Sequence, residues 1–176
     1  IIEKVENHLQ RKDQVLFFVN RRGFSPFVLC KKCLKQHSCP NCSINLVYHK
    51  SKGNLICHYC GFKTSLLRKC TKNTNCDFIF SGPGVEKVFE EVKNIFPENK
   101  IEIFSSDTMN KKSSTEILDK IINNKINILI GTQLISKGFH FPNLNCIVVL
   151  DIDMNLRGYD LRGAEKNLQL YHQLSG

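Results

Sequence analysis

Cysteines between positions 30 and 76 constrain this chain more than any other feature of its sequence. Eight of its nine cysteines lie there in four close pairs, among many lysines and few aliphatic residues. Such a segment is too small and too polar to fold around a large hydrophobic core of its own, so we expect metal ions to hold it together. The odd number of cysteines and their CxxC spacing favour metal over disulfides and are typical of a reducing, cytoplasmic compartment.

The four pairs predict two structural zinc ions. They are Cys30 with Cys33, Cys39 with Cys42, Cys57 with Cys60, and Cys70 with Cys76. A CxxC turn points two sulfurs at one ion, and a tetrahedral zinc needs two such turns that face each other. Predicted strands over 44–49 and 54–57, joined by a turn at Lys52 and Gly53, form a hairpin that brings the two inner pairs together. The outer pairs then form a second site, and four thiolates leave no open position for a substrate at either zinc.

Two alternatives to this arrangement stay open at the level of the sequence. Pairs that are neighbours in the sequence could share an ion, although the five residues between Cys33 and Cys39 make that geometry tight. Five residues also separate Cys70 from Cys76, which is not the usual knuckle spacing, so a histidine could take the place of Cys76. The three candidates are His37, His49 and His58. The simpler interpretation of each of these histidines is a surface residue.

Outside the cysteine-rich segment, strands and helices alternate. Apolar residues at helical spacing predict helices over 1–12, 85–96, 113–122 and 160–174, and apolar runs predict strands over 14–19, 101–104, 126–130 and 144–150. This rhythm predicts an α/β fold with a mostly parallel sheet and flanking helices. The strands at 126–130 and 144–150 have the nearly continuous apolar character of strands buried on both faces, and Cys146 is interpreted there as a small buried hydrophobic residue.

The strand at 14–19 is expected to join the same sheet as the later strands. The cysteine-rich segment is then an insertion, and the predicted organisation is a first part of the α/β lobe over 1–29, the zinc-binding insertion over 30–80 and the remainder of the lobe over 81–176. No stretch approaches the roughly 18–20 apolar residues of a membrane helix, so no membrane association is expected.

A loop suited to phosphate oxygens follows the strand at 126–130. Gly131, Thr132 and Gln133 come directly after the strand, and Lys137 and Gly138 follow within the next few residues. Backbone N–H groups, a hydroxyl and a lysine at the carboxyl edge of a parallel sheet can bind a nucleotide or a DNA backbone. By spacing alone, an ordinary strand-to-helix turn explains the same residues equally well.

Other polar residues give weaker indications. Arg21 and Arg22 follow the first strand and are candidates for contacts with a nucleic-acid backbone. The net charge of +9 is also consistent with a polyanionic partner. Asp151 and Asp153 could form a metal-binding carboxylate pair, but turn or capping residues are the preferred interpretation. The chain contains no GxxxxGK[ST] phosphate-binding loop.

Five segments, taken in chain order, carry a resemblance to a known family. They are Gln14–Pro26 (QVLFFVNRRGFSP), the cysteine gaps of 2, 5, 2, 14, 2 and 9 residues up to Cys70, Ile103–Thr108 (IFSSDT), Ile128–Asp153 (ILIGTQLISKGFHFPNLNCIVVLDID), and the pattern of Arg162, Glu165, Gln169, Leu170, Gln173 and Gly176. The last two resemble helicase motif V and the lead into motif VI. Together they resemble the PriA family, the primosomal replication-restart DNA helicases also called primosomal protein N-prime.

That resemblance implies a function for a longer parent protein. Residues outside the insertion would form the second RecA-like motor lobe of a helicase that uses ATP with Mg²⁺ to move 3′ to 5′ and unwind stalled or branched forks. Its expected partners are branched and single-stranded DNA, other primosome proteins and single-strand-binding protein. The resemblance places Gly131, Thr132, Lys137 and Gly138 at the nucleotide. It implies DNA contacts for Thr132, Gln133 and Lys137 and for the zinc insertion, beside the candidates Arg21 and Arg22, which are inferred from their position after the first strand.

The sequence departs from the family pattern at three places. Cys70 and Cys76 do not form a CxxC pair, Phe139 stands where the family often has histidine, and the chain stops at Gly176, before the arginine-rich finger sequence. The chain also begins without methionine and is interpreted as a fragment. Without a phosphate-binding loop or arginine fingers, we expect no ATP hydrolysis and no catalytic residue in this piece alone.

Two further hypotheses belong to other classes. The chain could be a self-standing zinc-bound module that binds DNA or protein without a motor. It could also be a metal-dependent hydrolase that uses Asp151 and Asp153, which is the weakest of the three readings.

Overall fold

The computed structural model describes residues 1–19, 27–66, 77–82, 84–105, 111–132, 141–150 and 163–175. The chain divides into two compact units, one made of Ile1–Asn20 with Glu91–Gly176 and the other of Arg21–Glu90. Its described helices are α1 (Ile2–Gln10), α2 (Val85–Ile95), α3 (Lys111–Ile122) and α4 (Gly163–Ser175). Its described strands are β1 (Gln14–Val19), β2 (Phe27–Cys30), β3 (Val47–His49), β4 (Asn54–Ile56), β5 (Lys63–Ser65), β6 (Phe78–Ser81), β7 (Ile101–Phe104), β8 (Ile128–Gly131) and β9 (Leu144–Leu150). Among the described residues, no helix is long and apolar enough to cross a membrane.

The first unit is built on a four-stranded sheet whose neighbouring strands are all parallel. Its order is β7-β8-β1-β9, with Phe17 of β1 opposite Ile130 of β8 on one side and Val148 of β9 on the other. Every residue of β1 and β8 is buried. Parallel strands that are covered on both faces require such continuous apolar runs. The prediction of a mixed α/β fold with a mostly parallel sheet is confirmed.

One apolar core joins the sheet to helices α3 and α4. Its buried members are Leu16, Phe18, Phe104, Ile121, Ile126, Leu129 and Leu170. Leu16 and Phe18 lie two residues apart on β1 and therefore share a face of the sheet. Ile121 belongs to α3 and Leu170 to α4, so both helices bury apolar residues in the same core. Each such side chain contributes about 1.5–3 kcal/mol of burial energy.

Gln14 is a fully buried polar residue at the start of β1. Its Nε2 donates hydrogen bonds to the carbonyl oxygens of Ile121 at 2.8 Å and Ile126 at 2.9 Å. The first carbonyl lies near the end of α3 and the second in the segment that enters β8. Gln14 thus ties β1 to two segments that lie more than 100 residues away in sequence. The Nε2 group is paired, as buried polar groups usually are, whereas the buried Oε1 of Gln14 has no hydrogen-bond partner among the described residues.

The prediction that the last strand is buried on both faces is wrong. Among the described strands, β9 pairs with β1 alone, so it lies at an edge of the described sheet. Six of its seven residues are half-buried and Asn145 is exposed. Cys146 is likewise half-buried rather than fully buried. Burial, followed by the nearby carboxylate of Asp13, raises the pKa of its thiol.

Antiparallel strands make up the second unit. β2 pairs with β6, and β3, β4 and β5 form a separate three-stranded sheet in that order. The predicted hairpin is confirmed as β3 and β4, which turn at Gly53 with a positive φ of 64°. The buried core of this unit consists of Val28, Cys39, Leu46, Leu55 and Cys57. Two of the predicted zinc ligands are therefore core residues as well.

Candidate metal centre

Two CxxC turns face each other at one end of the β3–β4–β5 sheet. The first, Cys39 to Cys42, precedes β3, and the second, Cys57 to Cys60, connects β4 to β5. The hairpin of β3 and β4 therefore brings the two turns together across 14 intervening residues.

The backbone of both turns follows one pattern. In each, the residue four positions after the first cysteine donates its N–H to that cysteine's carbonyl: Ser43 to Cys39 and Gly61 to Cys57, both at 2.9 Å. These two residues also have positive φ, 56° at Ser43 and 78° at Gly61. The N–H of each first cysteine returns to a later carbonyl, at 2.7 Å from Cys39 to Ile44 and 2.8 Å from Cys57 to Phe62. Such closed turns present both sulfurs on the same side.

The four sulfur atoms form a compact cluster. The Sγ atoms of Cys39, Cys42, Cys57 and Cys60 all lie within 4.8 Å of one another. The Sγ atoms of Cys39 and Cys60 are 3.5 Å apart. A tetrahedral zinc with Zn–S bonds of about 2.3 Å holds its sulfurs about 3.8 Å apart, which these distances match. Sulfur-only donors of this kind suit zinc, and all four positions are taken by protein, as in structural sites.

Hydrogen bonds and burial give the clustered thiols different pKa values. A hydrogen bond from the backbone of Phe62 lowers the pKa of Cys60 to about 6, and hydrogen bonds with its cysteine neighbours act in the same direction. The hydrogen bond to Cys60, followed by burial, raises the pKa of Cys42 to about 12, and burial raises that of Cys39. Of these three thiols, Cys60 therefore ionises first, and Cys39 and Cys42 give up their protons when a cation replaces them.

The side chain of Asn41 supplies a further contact that sequence reasoning missed. Its Nδ2 lies 3.8 Å from the Sγ of Cys60, on the opposite turn. Side-chain N–H groups beside metal-bound thiolates orient the ligand and stabilise its negative charge. No spacing rule in the sequence indicates which loop residue makes such a contact.

A third turn has the same backbone pattern. Leu34 donates its N–H to the carbonyl of Cys30 at 2.8 Å and has a positive φ of 55°. The N–H of Cys30 in turn donates to the backbone carbonyl of Lys35 at 3.2 Å. Leu34 is unusual for this role because only glycine adopts positive φ without steric cost. Cys30 and Cys33 therefore form a knuckle like the other two. Their predicted partners, Cys70 and Cys76, lie outside the described residues.

The candidate histidines occupy different environments. His37 is half-buried, its ring centroid lies 5.5 Å from that of Phe78, and burial, followed by the charge of Lys35, lowers its pKa. The expectation that His49 is a surface residue is wrong, because its side chain is buried and its Nε2 lies 2.9 Å from the Nε2 of His58. Within the part of the chain that the structure describes, the only grouping of three or more potential metal ligands is the four-cysteine cluster, without a histidine.

The predicted nucleotide-binding and DNA-binding residues are described only in part. Gly131 ends β8, and Thr132 follows it as a buried residue whose N–H lies 3.4 Å from the carbonyl of Phe104 at the end of β7. Both residues lie at the carboxyl edge of the parallel sheet, the edge where open α/β sheets bind ligands. The other predicted residues lie outside the described ranges: Arg21, Arg22, Gln133, Lys137, Gly138, Asp151 and Asp153.

The fold and the site together define an α/β protein with a parallel sheet and a second unit organised around a four-cysteine zinc-type cluster. Residues 39–64, which contain all four clustered cysteines, match the family described as the PriA DNA helicase Cys-rich region domain. The whole chain aligns with the replication restart proteins PriA of Rickettsia felis at 42% identity, of Haemophilus influenzae at 36% and of Bacillus subtilis at 36%. Over its full length the chain is therefore homologous to replication restart protein PriA. It spans about a quarter of the length of these relatives, between 22% and 28%.

Thiol reactivity tests the electrostatics of the cluster. After removal of metal at neutral pH, we expect iodoacetamide to label Cys60 before the other clustered cysteines, because it is exposed and its thiol has the lowered pKa. Added zinc should suppress this labelling. Peptide mass spectrometry measures the order, with the half-buried Cys146 as an internal reference that zinc should leave unchanged. Labelling of Cys39 or Cys42 ahead of Cys60 would contradict this description of the site.

Proposed function

We propose that this chain supplies the zinc-binding region and part of a RecA-like motor lobe of an ATP-dependent DNA helicase that restarts replication. The observation that carries the proposal is the alignment of the entire chain with PriA proteins, together with a four-cysteine cluster inside the segment that matches their Cys-rich region. In this proposal the lobe is made of residues 1–29 and 81–176, and residues 30–80 are the zinc-binding insertion. Activity requires the remainder of the longer protein.

The parallel sheet supports the assignment of a motor lobe. The inner strand β8 places Gly131 and Thr132 at the carboxyl edge, which is where a nucleotide or a DNA backbone would be bound. In this proposal Gly131, Thr132, Lys137 and Gly138 bind nucleotide. Backbone N–H groups, the threonine hydroxyl and a lysine would there hold phosphate oxygens, and ATP with Mg²⁺ would supply the energy for unwinding in the complete protein.

DNA contacts are proposed for Arg21, Arg22, Thr132, Gln133 and Lys137 and for the cysteine-rich unit. Several lysines of this unit are exposed, among them Lys31, Lys32, Lys35, Lys50 and Lys52. The substrate is proposed to be branched or single-stranded DNA, and other primosome proteins and single-strand-binding protein are proposed as partners. Reduced cysteines fit a cytoplasmic setting for such a protein.

A second zinc site is proposed at the outer cysteine pairs. Cys30 and Cys33 already have the backbone geometry of the two knuckles in the inner cluster. A knuckle provides two ligands, and a structural zinc needs four. Cys70 and Cys76 are the cysteines that remain in this segment and would complete the site.

Metal content tests both zinc sites. We expect about two zinc ions per chain after purification under reducing conditions without added metal, and about one in the variant Cys30→Ser, because the outer site loses a ligand. Elemental analysis gives the ratio, and Cys146→Ser serves as the control that should keep both ions. About one zinc per wild-type chain, unchanged by Cys30→Ser, would show that the inner cluster alone binds metal.

Binding to forked DNA tests the nucleic-acid contacts. We expect weak affinity that falls roughly ten- to a hundredfold between 50 and 200 mM salt, as for about three phosphate contacts, because binding releases counterions. The double variant Arg21→Gln with Arg22→Gln should weaken binding and reduce the salt slope, whereas Arg11→Gln at the end of α1 should change neither. Fluorescence anisotropy of a labelled fork measures both quantities. Binding that does not respond to salt, or no binding at low salt, would contradict the prediction.

A self-standing zinc module is the second candidate function, because the four-cysteine cluster is formed entirely within one compact unit. ATP hydrolysis separates it from the motor proposal. With the amino-terminal lobe and the arginine-rich finger segment of a homologous protein both joined to this chain, we expect ATPase activity that DNA stimulates, and none from this chain alone. A steady-state phosphate-release assay measures it. Persistent absence of activity in the restored protein would remove the motor proposal and leave the module.

A further inference from the structure

A buried histidine connects the metal-binding hairpin to helix α2. His49 ends β3 and is 1% exposed. Its Nδ1 lies 3.4 Å from the carboxylate oxygen Oε1 of Glu86, in the first turn of α2. Its Nε2 lies 2.9 Å from the Nε2 of His58. Both ring nitrogens of this buried imidazole therefore face polar partners, and one of them, Glu86, lies 37 positions away in sequence.

Glu86 is held in place as the charged end of this chain of contacts. The backbone N–H of Ser51 donates to Oε2 at 3.2 Å, and the Ser51 hydroxyl donates to Oε1 at 2.9 Å. Burial would raise the pKa of Glu86, but hydrogen bonds from His49 and Ser51 outweigh it and lower the pKa to about 2. The carboxylate is therefore ionised at neutral pH and can accept a hydrogen bond from an imidazole N–H group.

The distances determine where the protons lie. An ionised carboxylate accepts only, so the Nδ1 of His49 carries a proton towards Glu86. The two Nε2 atoms at 2.9 Å have room for one proton between them, because two N–H groups cannot point at each other. A shared tetrahedral zinc would hold two nitrogens about 3.3 Å apart, so 2.9 Å is the distance of a hydrogen bond and not of joint metal ligation. Glu86 thus fixes the orientation of the His49 ring, and His49 in turn orients the ring of His58.

His58 lies between two clustered cysteines in the knuckle Cys57 to Cys60. Its ring is the side chain through which the contacts from Glu86 and His49 reach that knuckle. We propose that Glu86 and His49 are positioning residues for the metal centre, which hold His58 and thereby keep the knuckle of Cys57 and Cys60 closed around bound zinc. The inference rests on the zinc binding proposed for the four-cysteine cluster and adds to it a support located on α2.

Helix α2 offers a matched comparison one turn further along. Glu90 also contacts the hairpin, through Lys50 Nζ at 2.6 and 2.8 Å from its two carboxylate oxygens. The side chains of that pair are about half exposed. Exposed ion pairs contribute little to stability. Glu90→Gln therefore removes a carboxylate from the same helix without interrupting the route through His49.

Zinc release from the full 176-residue chain tests the proposal. With an excess of chelator at fixed pH, we expect about tenfold faster loss of zinc from Glu86→Gln and His49→Phe than from wild type, the lower end of the effect of outer-shell partners. Glu90→Gln should stay within about twofold. A metal-sensitive dye follows the release. The series is repeated in the Cys30→Ser background, which lacks the proposed outer site, so that release from the inner cluster is measured alone. Circular dichroism checks that each variant retains its folded structure.

Histidine tautomers provide a readout that a merely structural role would not move. Long-range ¹H–¹⁵N NMR of the zinc-bound wild type should show His49 protonated at Nδ1, and Glu86→Gln should lose this preference. Unchanged release rates in folded Glu86→Gln and His49→Phe, or equal acceleration in Glu90→Gln, or an unprotonated Nδ1 in wild type, would each overturn the inference. Wild type that binds no zinc would instead overturn the proposed metal site itself.

Discussion

The mutual proximity of four cysteine sulfurs is the constraint on which the second unit depends. Among the described residues, the core cluster of this unit contains three buried aliphatic residues and two of the sulfur ligands themselves, Cys39 and Cys57. An interior of this size cannot offset the conformational entropy of the surrounding loops by apolar burial alone. Structural zinc contributes an apparent 10–16 kcal/mol in comparable small domains, which is larger than the net stability of most proteins. We therefore expect the folding of this unit to depend on metal binding.

The first unit is stabilised by a different principle. Strands β1 and β8 are buried throughout, and Leu16, Phe18 and Leu129 pack into one core with two helices. The buried amide of Gln14 joins the start of β1 to two distant carbonyls, which helps to specify how the segments meet. The chain thus combines a parallel sheet that is stabilised by apolar burial with a second unit whose four clustered sulfurs are arranged for a metal ion.

Local chemistry made much of the site predictable from the sequence. CxxC spacing and the Lys52–Gly53 turn indicated which four cysteines meet, because a hairpin of short range sets their distance. Apolar runs likewise indicated the strands of the parallel sheet. What the sequence did not reveal depends on tertiary position: β9 has the composition of a central strand, yet its place at the edge of the described sheet follows from strand order. His49 looked like a surface residue because nothing near it in sequence indicates Glu86, which approaches it from 37 positions away.

The metal centre also changes how the charge of the chain should be interpreted. A zinc ion with four thiolates carries about two negative charges, so two such sites would lower the formal net charge from +9 to about +5. Lys31 and Lys32 are exposed within the knuckle of Cys30 and Cys33, where part of their charge would balance the sulfurs. A count of basic residues from the sequence therefore overstates the attraction of this unit for a polyanion. The geometry of the thiolates decides how much of that positive charge is left for DNA.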